Sequence, residues 1–231
     1  MSDITLEQFL RPLSEALGRD APPASVARID TARRPGHVFE KMDEREAVRV
    51  FEKEAAKVGI RTMRTSAEGL ARAVAETAVS FEAKTAVVPD DQRVDAEGIA
   101  GALDEAGIAT SRWNARGAAG SKRAAAQADC GITFAEAGIA ETATVMQVCD
   151  GASGRSICLL PETHIAILRT RDIVAHMAQA LERLQNEARK TEAMPSNVTF
   201  ITGPSNTADI ELVRVVGVHG PVNAAVMLVE G

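Results

Sequence analysis

Apolar positions along this chain follow two periods in alternation, about 3.6 and about 2, and that alternation predicts helices and strands in turn. Residues 5–17 place Leu6, Phe9, Leu10, Leu13 and Leu17 on one helical face. Thr5 and Gln8 have the spacing of a capping box, and Pro12 inside the pattern predicts a break or kink. Residues 18–39, with Gly18, Pro22, Pro23, Pro35 and Gly36, read as an extended arm. From there the rhythm is regular. A helix over 43–58 carries Ala47, Phe51, Ala55 and Val58 on one face and stops at Gly59. A short strand follows at 60–64. Ser66 caps a helix with Leu70, Val74, Ala78 and Phe81 in register, and residues 85–88 form a buried strand ended by Pro89. Asp95 is expected to cap a helix bearing Ile99, Leu103 and Ala106, closed by Gly107; a strand over 108–113 and an Ala-rich helix near 120–128 complete this half.

The second half changes character. Apolar segments at 131–134, 143–149, 156–160 and 164–168 are separated by Gly, Asp, Ser and Pro and lie too close together for intervening helices, so they predict hairpins or antiparallel pairs. Asp172 is read as the cap of one long helix with Ile173, Met177, Leu181, Leu184 and Ala188 as its buried stripe. Strands at 198–202, near 212–217 and at 224–229 close the chain. Alternating strands and helices imply a parallel sheet covered on both faces. The expected fold is a three-layer α/β/α sandwich with a mixed, largely parallel sheet, organised as a helix and arm over 1–40 and a single α/β domain over 41–231.

Composition narrows the function classes. Aromatic residues are scarce, with one Trp, six Phe and no Tyr, so the core is expected to be Val, Ile, Leu and Ala. A net charge of -6, no basic block and no aromatic stacking platform argue against nucleic acid as a partner. No apolar run reaches the roughly 18–20 residues a membrane span needs, and Met1-Ser2-Asp3-Ile4 has neither the basic start nor the apolar stretch of a secretory signal; a cytoplasmic location is expected. Cys130, Cys149 and Cys158 form no C-x-x-C pair, so neither a disulfide framework nor a metal or iron–sulfur ligand set is expected in this chain.

The residues suited to chemistry gather in the C-terminal half. Gly203-Pro204-Ser205-Asn206-Thr207 follows a strand and offers short polar side chains and backbone N–H groups that could cradle a carboxylate or phosphate; the same loop could simply satisfy its own backbone. Asp209 and Glu211 add two carboxylates. His219 lies between Gly217 and Gly220-Pro221 on a tight turn, where it is either an acid/base group or a turn residue bonded to a carbonyl. Glu141, followed by Thr142, enters an apolar strand and is a candidate nucleophile or base, or an ordinary rim carboxylate. His164 is a site residue or an interior hydrogen-bonding histidine. His176, beside the stripe of the long helix, reads as structural. The phosphate-loop pattern G-x-x-x-x-G-K, the nucleophile elbow G-x-S-x-G, G-x-G-x-x-G and H-E-x-x-H are all absent from the sequence.

Taken together, residues 201–211 with Gly217 to Pro221, Gly131-Ile132-Thr133 with Ile139-Ala140-Glu141-Thr142, and Leu160-Pro161 with His164-Ile165 resemble, in order and spacing, the signature blocks of the LutC/YkgG family, the LUD domain proteins of lactate utilization. Two positions depart from that pattern: Ala143 stands where the family usually has Gly after Glu-Thr, and Asn206 where it has Arg or Asn, so a bidentate Arg clamp is absent there. The resemblance implies a fold similar to the NagB/RpiA/CoA transferase-like superfamily. It also implies a non-redox subunit of a cytoplasmic L-lactate utilization system, with iron–sulfur clusters carried by partner proteins that oxidise lactate to pyruvate. Under this reading Gly203, Ser205, Asn206, Thr207, Asp209, Glu211, Gly220, Thr142 and His164 bind a small carboxylate or phosphorylated ligand, and Glu141 and His219 are the candidate catalytic groups. Two other readings stay open: a stand-alone enzyme of CoA-transferase or sugar-phosphate isomerase type, and a pure interaction module.

Overall fold

The computed structural model describes residues 5–21, 42–114, 117–208 and 214–231. The expected arm at 18–39 falls largely outside these residues. Two compact units are distinguished, Met1–Val38 and Phe39–Gly231. In the first, α1 spans Leu6–Ala16 and begins at the expected capping box, in which Gln8 N–H donates to Thr5 Oγ1 and Thr5 N–H to Gln8 Oε1. The helix runs through Pro12 without ending there. Its apolar residues Leu6, Phe9, Leu13 and Leu17 are exposed.

In the second unit, α2 (Glu44–Val58) starts on Asp43, whose carboxylate accepts from Glu46 N–H, and stops at Gly59 with φ +82°. The chain then runs through β1 (Ile60–Ser66), α3 (Leu70–Ser80) and β2 (Thr85–Val88). The helix expected after Asp95 is two pieces, α4 (Arg93–Ala96) and α5 (Ile99–Glu105), because Gly98 takes φ +70° between them; Asp95 lies inside α4 and is not a cap. Next come β3 (Ala109–Arg112), α6 (Ala118–Gln127) and β4 (Cys130–Phe134).

The second half follows as β5 (Ala137–Ile139), a 3-10 turn at Ala140–Thr142, β6 (Thr144–Cys149), α7 (Ser156–Leu159), β7 (Thr163–Arg169) and β8 (Ile173–Val174). After these come α8 (Met177–Thr191), β9 (Asn197–Ile201), β10 (Asn206–Ala208), β11 (Arg214–Val216) and β12 (Asn223–Glu230). Three expectations fail here. Residues 131–134 and 164–168, expected in hairpins or antiparallel pairs, lie in β4 and β7, which pair in parallel because the chain between them leaves to form β5, β6 and α7 before it returns. Residues 156–159 are a helical turn, not a strand, since a four-residue apolar run has no period that separates the two states. Asp172 does not cap the long helix: Ile173–Val174 pair with β5 as a strand, and α8 begins at His176, with Gln179 Oε1 accepting from His176 N–H.

The main sheet has six strands in the order β1-β12-β7-β4-β2-β3, every pair parallel. A second sheet, β8-β5-β6-β9, is mixed, with β5–β6 and β6–β9 antiparallel and β5–β8 parallel, and β10-β11 form an antiparallel ribbon. Strand side chains alternate between faces. Ile165, Ile167, Met227 and Val229 pack with Leu70, Val74, Ile99 and Leu103 of α3 and α5. Ala166, Leu168, Val226 and Leu228 pack on the other side with Phe51 and Ala55 of α2 and with Val145 of the small sheet. With both faces covered, the strands read as continuous apolar runs. Among the described residues no helix is long and apolar enough to cross a membrane.

Candidate functional site

The loop after β9 and the turn before β12 are knitted together. Ser205 N–H donates to the Pro221 carbonyl, and Gly217 N–H donates to the Ser205 carbonyl. A Cβ on Gly220 would stand 3.2 Å from Ser205 Cβ, so the turn bearing His219 rests directly on the loop. Gly203, at φ +78°, turns the chain against Val58, whose carbonyl oxygen would lie 2.7 Å from an added Cβ. These contacts enclose a cavity of about 270 Å³ at the N-terminal ends of β7 and β12. Gly203, Ser205, His219, Gly220 and His164 all line it, together with Thr202. Thus five of the residues singled out in the sequence converge. Asn206 and Thr207 continue from the same loop into β10, where they face Val216 and Val215 across the ribbon; Asn206 Nδ2 donates to the Pro204 carbonyl. Asp209 and Glu211 lie outside the described residues.

His164 is both things the sequence allowed, an interior histidine and part of the cavity wall. Its Nε2 is 2.8 Å from Thr133 Oγ1, which also accepts from Gln147 Nε2 at 2.7 Å. All three side chains are buried. Desolvation pushes the imidazole pKa down from 6.5 to about 4, so the ring is neutral at pH 7. A neutral ring shares one hydrogen bond between Nε2 and the Thr133 hydroxyl, its direction set by the tautomer. Thr133 and Gln147 were not legible as partners, because they come from two different sheets.

Glu141 does not line the cavity. Its Oε2 lies 2.8 Å from His176 Nδ1 and its Oε1 accepts from Met177 N–H at the start of α8. Burial raises the Glu141 pKa, but the hydrogen bonds from His176 and the Met177 N–H outweigh it and hold the group below the usual carboxylate range. His176 is therefore more than a structural neighbour of the helix stripe: it orients, and is oriented by, the carboxylate. The link from this pair to the cavity is a line of hydroxyls, Thr142 to Thr144 at 2.7 Å and Thr144 to Thr202 at 2.6 Å.

Ala143 follows in the left-handed region, φ +50° and ψ +38°, fully buried. That conformation costs a non-glycine residue about 1–2 kcal/mol. Ala143→Gly removes the strain, but it loses a buried methyl worth about 0.8 kcal/mol and adds backbone entropy of about 0.5–1 kcal/mol. Its unfolding free energy is expected to stay within about 1 kcal/mol of the parent. Ala143→Val, β-branched at positive φ, is expected to lose at least about 2 kcal/mol. Urea denaturation of both variants checks this; a valine variant as stable as the glycine one would show that the turn can take another conformation.

All three cysteines are free and buried. Desolvation pushes the Cys130 and Cys158 thiols up to about 12 and raises Cys149. Among the described residues, no three His, Cys, Asp or Glu side chains gather as a metal site.

The LUD domain family model matches residues 32–229, which takes in the site and, but for Glu230, the six-stranded sheet. The chain belongs to the LUD domain family. Among its relatives in that family, the lactate utilization protein C of Bacillus velezensis is 36% identical, over 97% of this chain and 95% of the relative. That of Bacillus subtilis is 35% identical over the same shares. A crystal structure of a DUF162 family protein from Deinococcus radiodurans is similar in fold, with a TM-score of 0.59 and 22% identity, covering 82% of this chain and 99% of that one. Of the blocks quoted from the sequence, Ile201 to Ser205, His219 to Pro221 and His164 line the 270 Å³ cavity, whereas Gly131 to Thr133 and Leu160-Pro161 do not, and Thr142 reaches it only through Thr144 and Thr202.

Proposed function

We propose that the chain is a lactate utilization protein that binds a small carboxylate, of the size of lactate or pyruvate, in the cavity between Ser205, His219 and His164. The observation that carries this reading is the size and lining of that cavity. A volume of about 270 Å³ is about nine waters' worth of liquid space and falls below the roughly 300–1,000 Å³ common for drug-sized ligands. It suits a three-carbon acid better than a CoA ester. The Ser205 and Thr202 hydroxyls and the His219 imidazole supply the donors a carboxylate needs, without an Arg or Lys on the wall.

Redox chemistry falls, in this proposal, to iron–sulfur partner proteins. The alternative of a stand-alone CoA-transferase with Glu141 as nucleophile has less support, since both Glu141 oxygens are engaged by His176 and the α8 backbone. Calorimetric titration of the full chain with lactate and pyruvate is the direct test. Binding that weakens at least about tenfold in Ser205→Ala and His219→Ala is expected, each variant removing about one hydrogen bond to a charged group. Absence of binding at millimolar acid would remove the small-carboxylate reading, and co-purification with iron–sulfur proteins without such binding would favour a pure interaction module.

A further inference from the structure

A second and larger cavity, about 750 Å³, opens at the opposite end of the main sheet. Its position follows from the topology. From β2 the chain goes on to β3 on one side, while from β4 it goes on to β7 on the other, yet β2 and β4 are hydrogen-bonded neighbours. Where connections diverge in this way, a crevice is left beyond the C-terminal ends of the two strands, the general place for ligands in open α/β sheets. The residues leaving β2 (Pro89, Asp91, Arg93) and β4 (Phe134, Glu136) form one wall, and β6 and α8 form the other. The LUD signature blocks contribute none of its polar groups.

Two features of the lining define a ligand class. First, Met146 and Val148 of β6, Leu184 and Ala188 of α8, and Met194 beyond it give an apolar floor, and thioether side chains adapt well to flat rings. Second, a polar corner faces that floor. Arg93 lies over the Phe134 ring at 4.3 Å, donates twice to Asp91 Oδ2 at 2.7 and 2.9 Å, and is 3.6 Å from Glu136 Oε1. The guanidinium is already matched by carboxylates, so the corner does not call for an anion. Glu136 gives Arg93 one long contact, and a carboxylate has about four acceptor positions, which suits neighbouring hydroxyl donors. The whole wall carries five carboxylates against three basic groups, and this disfavours polyphosphates.

We infer that this switch-point cavity is a binding site for an uncharged nucleoside, with the base on the Met146–Leu184 floor and the ribose hydroxyls donating to Glu136 and Asp91. The site is independent of the small-acid cavity, which lies at the other end of the strands.

The test is calorimetric titration of the full chain with adenosine, guanosine, cytidine and uridine, each compared with ribose and with its 5′-triphosphate. At least one nucleoside is expected to bind with a Kd below about 1 mM, with its triphosphate about tenfold or more weaker because of the acidic wall. Glu136→Gln, at a half-exposed side chain, is expected to weaken binding about tenfold. Ala188→Phe, which fills the cavity from a helix surface without removing a packed side chain, is expected to abolish it. His219→Ala is expected to leave it unchanged. The inference is overturned if no nucleoside binds the folded wild-type chain, if Ala188→Phe binds as well as wild type, if a triphosphate binds more tightly than its nucleoside, or if His219→Ala abolishes nucleoside binding.

Discussion

Gly131→Ala is expected to destabilise the protein by about 3 kcal/mol, the upper part of the overpacking range, and to lower the melting temperature by about 6–12 °C for a chain of this size. Gly131 is the second residue of β4, paired with Val87 on one side and His164 on the other. A Cβ there would stand 1.8 Å from the Ile157 carbonyl oxygen and 3.0 Å from its carbonyl carbon. The obstacle is backbone, so no rotamer change relieves it. Either α7 moves away, taking Ile157 out of its contacts with Val87, Trp113 and Ala125, or β4 leaves the ladder. Gly101→Ala is the matched comparison. Its added Cβ meets nothing within 4 Å on α5, and helix propensity alone is expected to raise stability by about 0.5–1 kcal/mol. Thermal melts of the pair separate the close approach from a general glycine effect. If Gly131→Ala melts with the parent, α7 does not rest on β4 in solution.

The second large effect is a pH dependence. The unfolded chain titrates His164 near 6.5, whereas the folded chain, through desolvation, holds it neutral down to about 4. Between these values the unfolded state binds more protons, so stability rises with pH. This contribution is fully present above about pH 6.5 and is lost as pH falls towards 4, about 3 kcal/mol in all at 1.36 kcal/mol per pKa unit. Denaturant melts of the wild type from pH 7 to pH 4 should show the decline, and His164→Gln, which cannot titrate but can still bond Thr133, should flatten it. An equal slope in the two proteins would place the loss in another group.

Much of the fold was legible because local chemistry and burial agree. The αL glycine after α2 and the proline after β2 mark ends that tertiary packing does not move. The break between α4 and α5 is local to Gly98, but the failures in the second half share one cause, contacts made far along the chain. Ile173 and Val174 extend the apparent stripe of α8, yet their backbone is claimed by β5, some 35 residues earlier in sequence. Residues 156–159 look like a strand, but they form a helical turn against the bare backbone at Gly131.

The candidate site divides in the same way. Ser205, His219 and Gly220 were readable as one cluster because they lie close together in sequence and are joined by backbone hydrogen bonds. The Glu141–His176 pair and the Gln147–Thr133–His164 network join residues 14 to 35 positions apart, and no spacing rule announces them. The switch-point cavity was hidden for a further reason: its position is a property of strand order, which periodicity does not encode.

Strand order also governs when this unit can fold during synthesis. β12 is inserted between β1 and β7, with Ile60 aligned on Ala224 and Val229 on Arg169. Until residues 223–230 leave the ribosome, β1 and β7 have a gap between them and two unpaired edges. A nascent chain therefore carries α2 and β1 for more than a hundred residues before their sheet closes. Long-range closure of this kind slows folding and exposes strand edges to other chains meanwhile. Emergence of residues 223–230, not that of any earlier helix, is the event that completes the sheet.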